Sequence, residues 1–323
     1  MPDIQHRTVK ANGLSMHIAE CGAGHGVGKV VLLCHGFPET WYSWRHQLRA
    51  LGTGGFFAVA PDMRGYGRTG SPPLVERFTL LDLVGDMVGL LDSLGAPDAV
   101  IVGHDWGAPV AWHAALLRPD RFRGVIALSV PFRPRPPTPP TTRMPQDEAR
   151  QFYQLHFQAE GVAEAEFDPA PRRVLRGMLY AASGDAPPGG DIGMVPRAAG
   201  MLALLPDPPA LPPWISEADV DAYAADFAAT GFRGGLNWYR NIDRNWALLA
   251  PFAGLKVRCP ALYIAGERDL VVNFRGAREA IAAMPALVPD LRGSILLPGC
   301  GHWTQQERAP EVNAAILGFL RDL

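Results

Sequence analysis

Six short runs of almost unbroken apolar character punctuate the chain: KVVLLCHG, FFAVAPD, AVIVGHD, GVIALSV, CPALYIAGERD and GSILLPGCGH. Runs of this length without polar alternation predict strands covered on both faces. Between them lie WRHQLRALG, LLDLVGDMVGLLDSLG, PVAWHAALLRP, NFRGAREAIAAM and PEVNAAILGFLRDL. Their apolar residues recur at three- and four-residue steps, which gathers them on one helix face. Near the start, RTVK and LSMHIAE flank Asn12-Gly13, a dipeptide suited to a tight hairpin turn. Strands alternating with helices predict an α/β fold, a mostly parallel sheet flanked by helices.

The alternation breaks between Pro131 and about Leu249. PFRPRPPTPPTTRMP cannot be a central strand or a helix interior. DEARQFYQLHFQ, RRVLRGMLYAAS, SEADVDAYAADF and GLNWYRNIDRNWALL then read as helices, with Ser216 and Asp219 placed for a capping box. Gly184 to Pro213 is rich in glycine and proline and reads as a long loop. An all-helical insert at 134–249 is therefore expected to interrupt an α/β core made of 1–133 and 250–323. An insert at the carboxyl end of a strand lies where open α/β sheets bind ligands, so it reads as a cap.

Composition narrows the classes. The chain has 323 residues, 48% hydrophobic and 19% charged, enough for a large core, and a net charge of −2 with no basic tract. Nucleic acid and anionic membrane are not expected partners. The polar N-terminus lacks a signal core, no apolar run can span a bilayer, and four scattered cysteines form no C-x-x-C pair. A soluble, cytoplasmic protein with reduced thiols is expected. A homo-oligomer is compatible with the sequence. GAGHGVGK lacks the leading glycine and final Ser/Thr of a phosphate loop, and it precedes a strand, so it reads as a turn.

Candidate chemistry concentrates in GHDWGAPV. Small residues around an acid between strand and helix form a nucleophile-elbow pattern, with Asp105 where serine is more familiar. The alternative is that Asp105 merely caps the helix beginning near Gly107. Three strand ends argue for chemistry. His35-Gly36-Phe37-Pro38 follows the first long apolar run, and the Phe37 amide is placed to serve with that of Trp106 as an oxyanion donor. Asp269 follows the fifth run and His302 the sixth. The chain order of nucleophile, acid and histidine is that of α/β-hydrolases.

HGFPETWYSWR, DMRGYGRT, GHDWGAPVAW, FYQLHFQAEGVAEAEF, GLNWYRNIDRNW and GHWTQQE together resemble the α/β-hydrolase-fold epoxide hydrolases, especially the hydrolase domain of the soluble enzymes. The likeness spans nearly the whole chain, without the N-terminal phosphatase domain of mammalian members. It implies a nucleophile at Asp105, a general base at His302, an orienting acid at Asp269 and a pair of acid-donating tyrosines at Tyr153 and Tyr239. It also implies that an apolar epoxide and water become a vicinal diol, with no cofactor or metal. The Gly/Pro-rich stretch after Ala182 departs from the family pattern and bears on substrate preference.

The chemistry suits these groups. An aspartate is ionised at neutral pH and can attack a strained epoxide carbon without an activating base. The alkoxide released needs a proton, which phenols supply. Haloalkane dehalogenase is the rival: it shares the aspartate but needs N–H halide donors, of which Trp106 would be one. A serine esterase is disfavoured by the elbow residue, and a non-catalytic binding protein by the intact set of five side chains. Trp41, Phe132 and Trp238 are expected to line an apolar substrate site.

Overall fold

The buried strands form because their sequences leave no polar face. In a computed structural model of the protein, described for residues 2–187 and 193–323, the strands follow in chain order. They are β1 (Gln5–Ala11), β2 (Leu14–Cys21), β3 (Val30–Cys34), β4 (Phe57–Pro61), β5 (Ala99–His104), β6 (Phe122–Leu128), β7 (Arg150–Phe152), β8 (Met194–Pro196), β9 (Ala261–Gly266) and β10 (Leu291–Leu297). Eight of them form one sheet in the order β1-β2-β4-β3-β5-β6-β9-β10. The β1–β2 hairpin, turning at Asn12-Gly13, adds antiparallel to β4, and every pairing from β4 to β10 is parallel.

Alternate residues along the central strands enter two separate cores, which is why the runs are continuously apolar. Val30, Leu32, Ile101 and Val125 pack on helices Leu80–Leu94 and Gly107–Leu117. Val31, Leu33, Val100 and Ile126 pack on helices Arg45–Thr53 and Ala309–Arg321. Helices thus cover both faces, and the free carboxyl ends of β3, β5, β6, β9 and β10 point toward one edge.

The segment between β6 and β9 is largely helical, with Val162–Phe167, Pro171–Ala181, Glu217–Thr230, Arg233–Arg240 and Ile242–Leu248. Ser216 and Asp219 close the expected capping box. The helix expected over DEARQFYQLHFQ is not formed throughout. The Asp147 carboxylate accepts the Ala149 and Arg150 amides in a tight turn, Arg150–Phe152 then pairs with Met194–Pro196, and helix begins only at Tyr153. The segment is therefore not all-helical. Part of the expected 184–213 loop, residues 188–192, lies outside the described residues.

Direct bonds dock this segment on the core. A Cβ on Gly234 would overlap the Gly65 backbone, so only glycine allows that approach. Nearby, Trp238 Nε1 donates to the Arg64 carbonyl at 3.1 Å and Asn241 to that of Val75 at 2.7 Å. Arg45 pairs with Asp219 at 3.2 Å, and the Tyr42 hydroxyl donates to the same carboxylate.

Candidate active site

The turn after β5 is strained, and its neighbours explain how it survives. Asp105 has φ +50°, in the left-handed region that side chains rarely adopt. A Cβ on Gly103 would overlap the Gly107 carbonyl, one on Gly107 would overlap the Cys34 carbonyl, and one on Gly36 would meet the Asp105 side chain itself. These glycines let strand, turn and helix close up and lift the carboxylate above the sheet edge. Its Oδ1 accepts the Phe37 amide at 2.8 Å, and the Trp106 amide also bonds the carboxylate. The Phe37–Pro38 bond is cis.

His302 lies between two carboxylates. Its Nε2 is 3.7 Å from Asp105 Oδ2, and its Nδ1 is 3.0 Å from Asp269 Oδ1. The Val271 amide, at 2.9 Å, holds that same Asp269 oxygen, and Ser129 Oγ lies 3.2 Å from His302 Nδ1. All three members are buried.

Charge pairing overrides burial at the imidazole. Burial disfavours its protonated form, but the charge and hydrogen bond of Asp269, then Asp105 and Glu39, raise it to about 9. Burial pushes the Asp105 carboxyl up, and His302, His104 and the two amides only partly offset this. Asp269, also buried, is held below the usual carboxylate range by the charge and hydrogen bond of His302.

Tyr153 and Tyr239 face the same space, their ring centroids 5.9 Å apart. Burial first, then the Asp105 charge, keeps both phenols protonated. They line a cavity together with Asp105 and His302. Its remaining walls are apolar: Phe157, Met178, Met201 and Leu205 from the insert, and Phe37, Leu270 and Val271 from the core.

Of the groups singled out in the sequence, Asp105, His302, Tyr153 and Tyr239 line one cavity, Asp269 stands buried behind His302, and the Phe37 and Trp106 amides hold the Asp105 carboxylate. The three aromatic residues expected to line the cavity do not. Trp238 is fully buried and spends its indole N–H on the Arg64 carbonyl, fastening the insert to the core. Phe132 packs on the Trp112 ring, and Trp41 lies edge-on to His6 and Tyr42. Proximity to a motif in sequence does not set the direction of a side chain.

Comparison with known proteins agrees with this geometry. A family model for the alpha/beta hydrolase fold matches residues 29–183. Epoxide hydrolase A of Mycobacterium tuberculosis is 44% identical over 98% of this chain and 97% of its own length. Epoxide hydrolase 1 of Siraitia grosvenorii is 42% identical over 99% of both chains. The chain belongs to the epoxide hydrolases of the α/β-hydrolase fold. The solved structure of an epoxide hydrolase from an endophytic Streptomyces superposes with a TM-score of 0.93 at 41% identity, covering 98% of this chain and 95% of the other.

This epoxide hydrolase also holds buried polar residues at the site that sequence reasoning missed. Glu39, held near about 2, pairs with His104 Nδ1 at 2.7 Å, against burial that would raise it. His104 Nε2 donates to the His302 carbonyl at 2.7 Å. Ser129, at φ +73°, closes β6 against the histidine–acid pair. The visible signals were the acid in HGFPE and the histidine directly before Asp105, both in apolar surroundings where an ionisable group needs a partner. Among the described residues, no helix is long and apolar enough to cross a membrane.

Proposed function

We propose that this epoxide hydrolase works through an alkyl ester on Asp105, within a core of 1–133 and 250–323 capped by 134–249. The supporting observation is a single cavity holding a carboxylate, a histidine–acid pair on one side and two phenols above. In the first step an Asp105 oxygen attacks an epoxide carbon and a C–O bond of the ring breaks. The alkoxide takes a proton from Tyr153 or Tyr239. The timing is favourable: as the ester forms, Asp105 loses the charge that keeps the phenols weakly acidic.

Esterification also readies the second step. The Asp105 charge helps hold the proton on His302, so its loss moves the imidazole toward the neutral base that deprotonates water. Hydroxide adds to the ester carbonyl, and the amides of Phe37 and Trp106 receive the oxyanion, each donor worth roughly 10²–10³ in rate. The proton that His302 sheds returns to the phenolate before water is deprotonated. On collapse the C–O bond to the alkyl group breaks, and the added hydroxyl passes its proton to the departing alkoxide. The vicinal diol leaves with the carboxylate and the protonated imidazole restored. The side chains facing Asp105 from the insert are two phenols, which suit an alkoxide leaving group over a halide. The apolar walls favour an apolar epoxide. Four unpaired cysteines fit a reducing cytoplasm, and epoxide hydrolysis itself fits a role in clearing reactive epoxides.

The test is single-turnover hydrolysis in ¹⁸O-water followed by mass analysis of the diol. The ester route gives a first diol carrying unlabelled oxygen drawn from Asp105. Label in that first product would mean direct attack by water and end this reading.

A further inference from the structure

The loop carrying His302 is wrapped around one carboxylate that the chemistry above does not use. Glu307 Oε2 accepts the Gly301 amide at 2.9 Å, and Oε1 accepts the Trp303 amide at 3.0 Å. These two amides flank His302. The His302 amide itself donates to the Ala182 carbonyl at 2.8 Å. The same Glu307 Oε2 also accepts the Gly184 amide at 2.9 Å. One side chain therefore ties together the histidine loop and the turn that ends helix Pro171–Ala181.

That turn is fastened from several directions. Backbone meets backbone so closely that a Cβ on Gly184 or on Gly301 would overlap the other strand of chain. Trp303 Nε1 donates to the Leu179 carbonyl at 2.8 Å. Arg268 donates to the Gly184 carbonyl, and to that of Ala186 at 2.7 Å. Ala182 and Met178, on the same stretch, line the cavity.

We propose that Glu307 is a positioning residue for His302, clamping the histidine loop to the Ala182–Gly184 turn so that the imidazole sits where ester hydrolysis needs it. The proposal rests on the ester mechanism above. Glu307 touches neither substrate nor the reacting atoms. Its three bonds fix the backbone on both sides of the base, and displacing a base by about 1 Å costs on the order of 10²-fold in rate. Ring opening uses Asp105 and the phenols, so it is insulated from Glu307.

The test separates the two half-reactions by rapid acid quench and intact-protein mass, following ester formation and decay. In Glu307→Gln one carboxylate oxygen becomes an NH₂, which cannot accept a backbone amide, so the bonds on that side of the clamp are lost. Ester formation is expected to stay within about threefold of the unaltered enzyme, while ester decay falls by about 10- to 100-fold and the ester accumulates. Arg268→Met, which loosens the same turn from its exposed side, is expected to give the same split at several-fold size. It carries the test if Glu307→Gln is insoluble. Equal loss in both half-reactions, or loss in neither, overturns the clamp. His302→Gln is the control: if it traps no ester, the covalent mechanism itself has failed, and the clamp with it.

Discussion

His302 ties the chemistry of single residues to the stability of the whole. Its value of about 9 against an ordinary 6.5 means that the folded protein binds this proton more tightly than the unfolded chain does. The resulting stabilisation is fully present below about pH 6.5 and is lost as the pH rises through about 9. Urea unfolding of the unaltered protein should therefore show stability falling across that window, and His302→Gln should flatten the fall. The phenols give a second expectation. Tyr239 is buried and Tyr153 half-buried, and both stay protonated over the same carboxylate, so either can supply the proton. Stopped-flow measurement of ring opening should show Tyr239→Phe slowed by about 10²-fold, with the Tyr153→Phe/Tyr239→Phe pair slowed further. An unchanged rate in the double variant would remove the phenols from the reaction.

Among elements, the strand–turn–helix around Asp105 is the most tightly specified. Glycine at 103 is a steric requirement, because a side chain there would strike the first turn of the following helix. Gly103→Ala is expected to cost at least about 3 kcal/mol in denaturant unfolding, well beyond the usual cost of a surface substitution. This element was legible in sequence because its constraints are local: an apolar run, an acid and small neighbours within eight residues. The strands β3, β4, β5, β6 and β9 were legible because each buries both faces, alternate residues entering two cores and leaving no polar gap. The β10 strand, read from the same kind of apolar run, lies at the sheet edge and instead alternates half-buried and exposed residues. The β7 strand was hidden because a turn at Asp147 and pairing with Met194–Pro196 override the helical spacing of DEARQFYQLHFQ. Glu39, His104 and Glu307 were hidden because their partners lie far away in the chain or are main-chain groups. Tyr153 and Tyr239 were found by resemblance, since a tyrosine in an amphipathic helix gives no sign of which cavity it faces.

At the scale of the molecule, the cavity is a largely apolar pocket whose hydroxylated or ionisable lining side chains are Asp105, Tyr153, Tyr239 and His302. Among the described residues lining it there is no Lys or Arg to receive an anionic substrate group. Placing an unpaired carboxylate there costs several kcal/mol. An epoxide bearing a free carboxylate near the ring should therefore show kcat/KM at least about 100-fold below that of its methyl ester. A diol-release assay on the matched pair decides this, and equal efficiency would mean that the carboxylate keeps its contact with water in the bound state.

The scarcity of polar handles in that chamber also shapes how the cycle ends. An epoxide arrives as a largely greasy guest with one weak acceptor, well matched to walls of methionine, leucine and phenylalanine. The reaction turns it into a molecule with two hydroxyls, each seeking partners that these walls do not offer. Catalysis thus makes its own product a poor tenant, and the preference of a diol for water helps to empty the chamber for the next turnover.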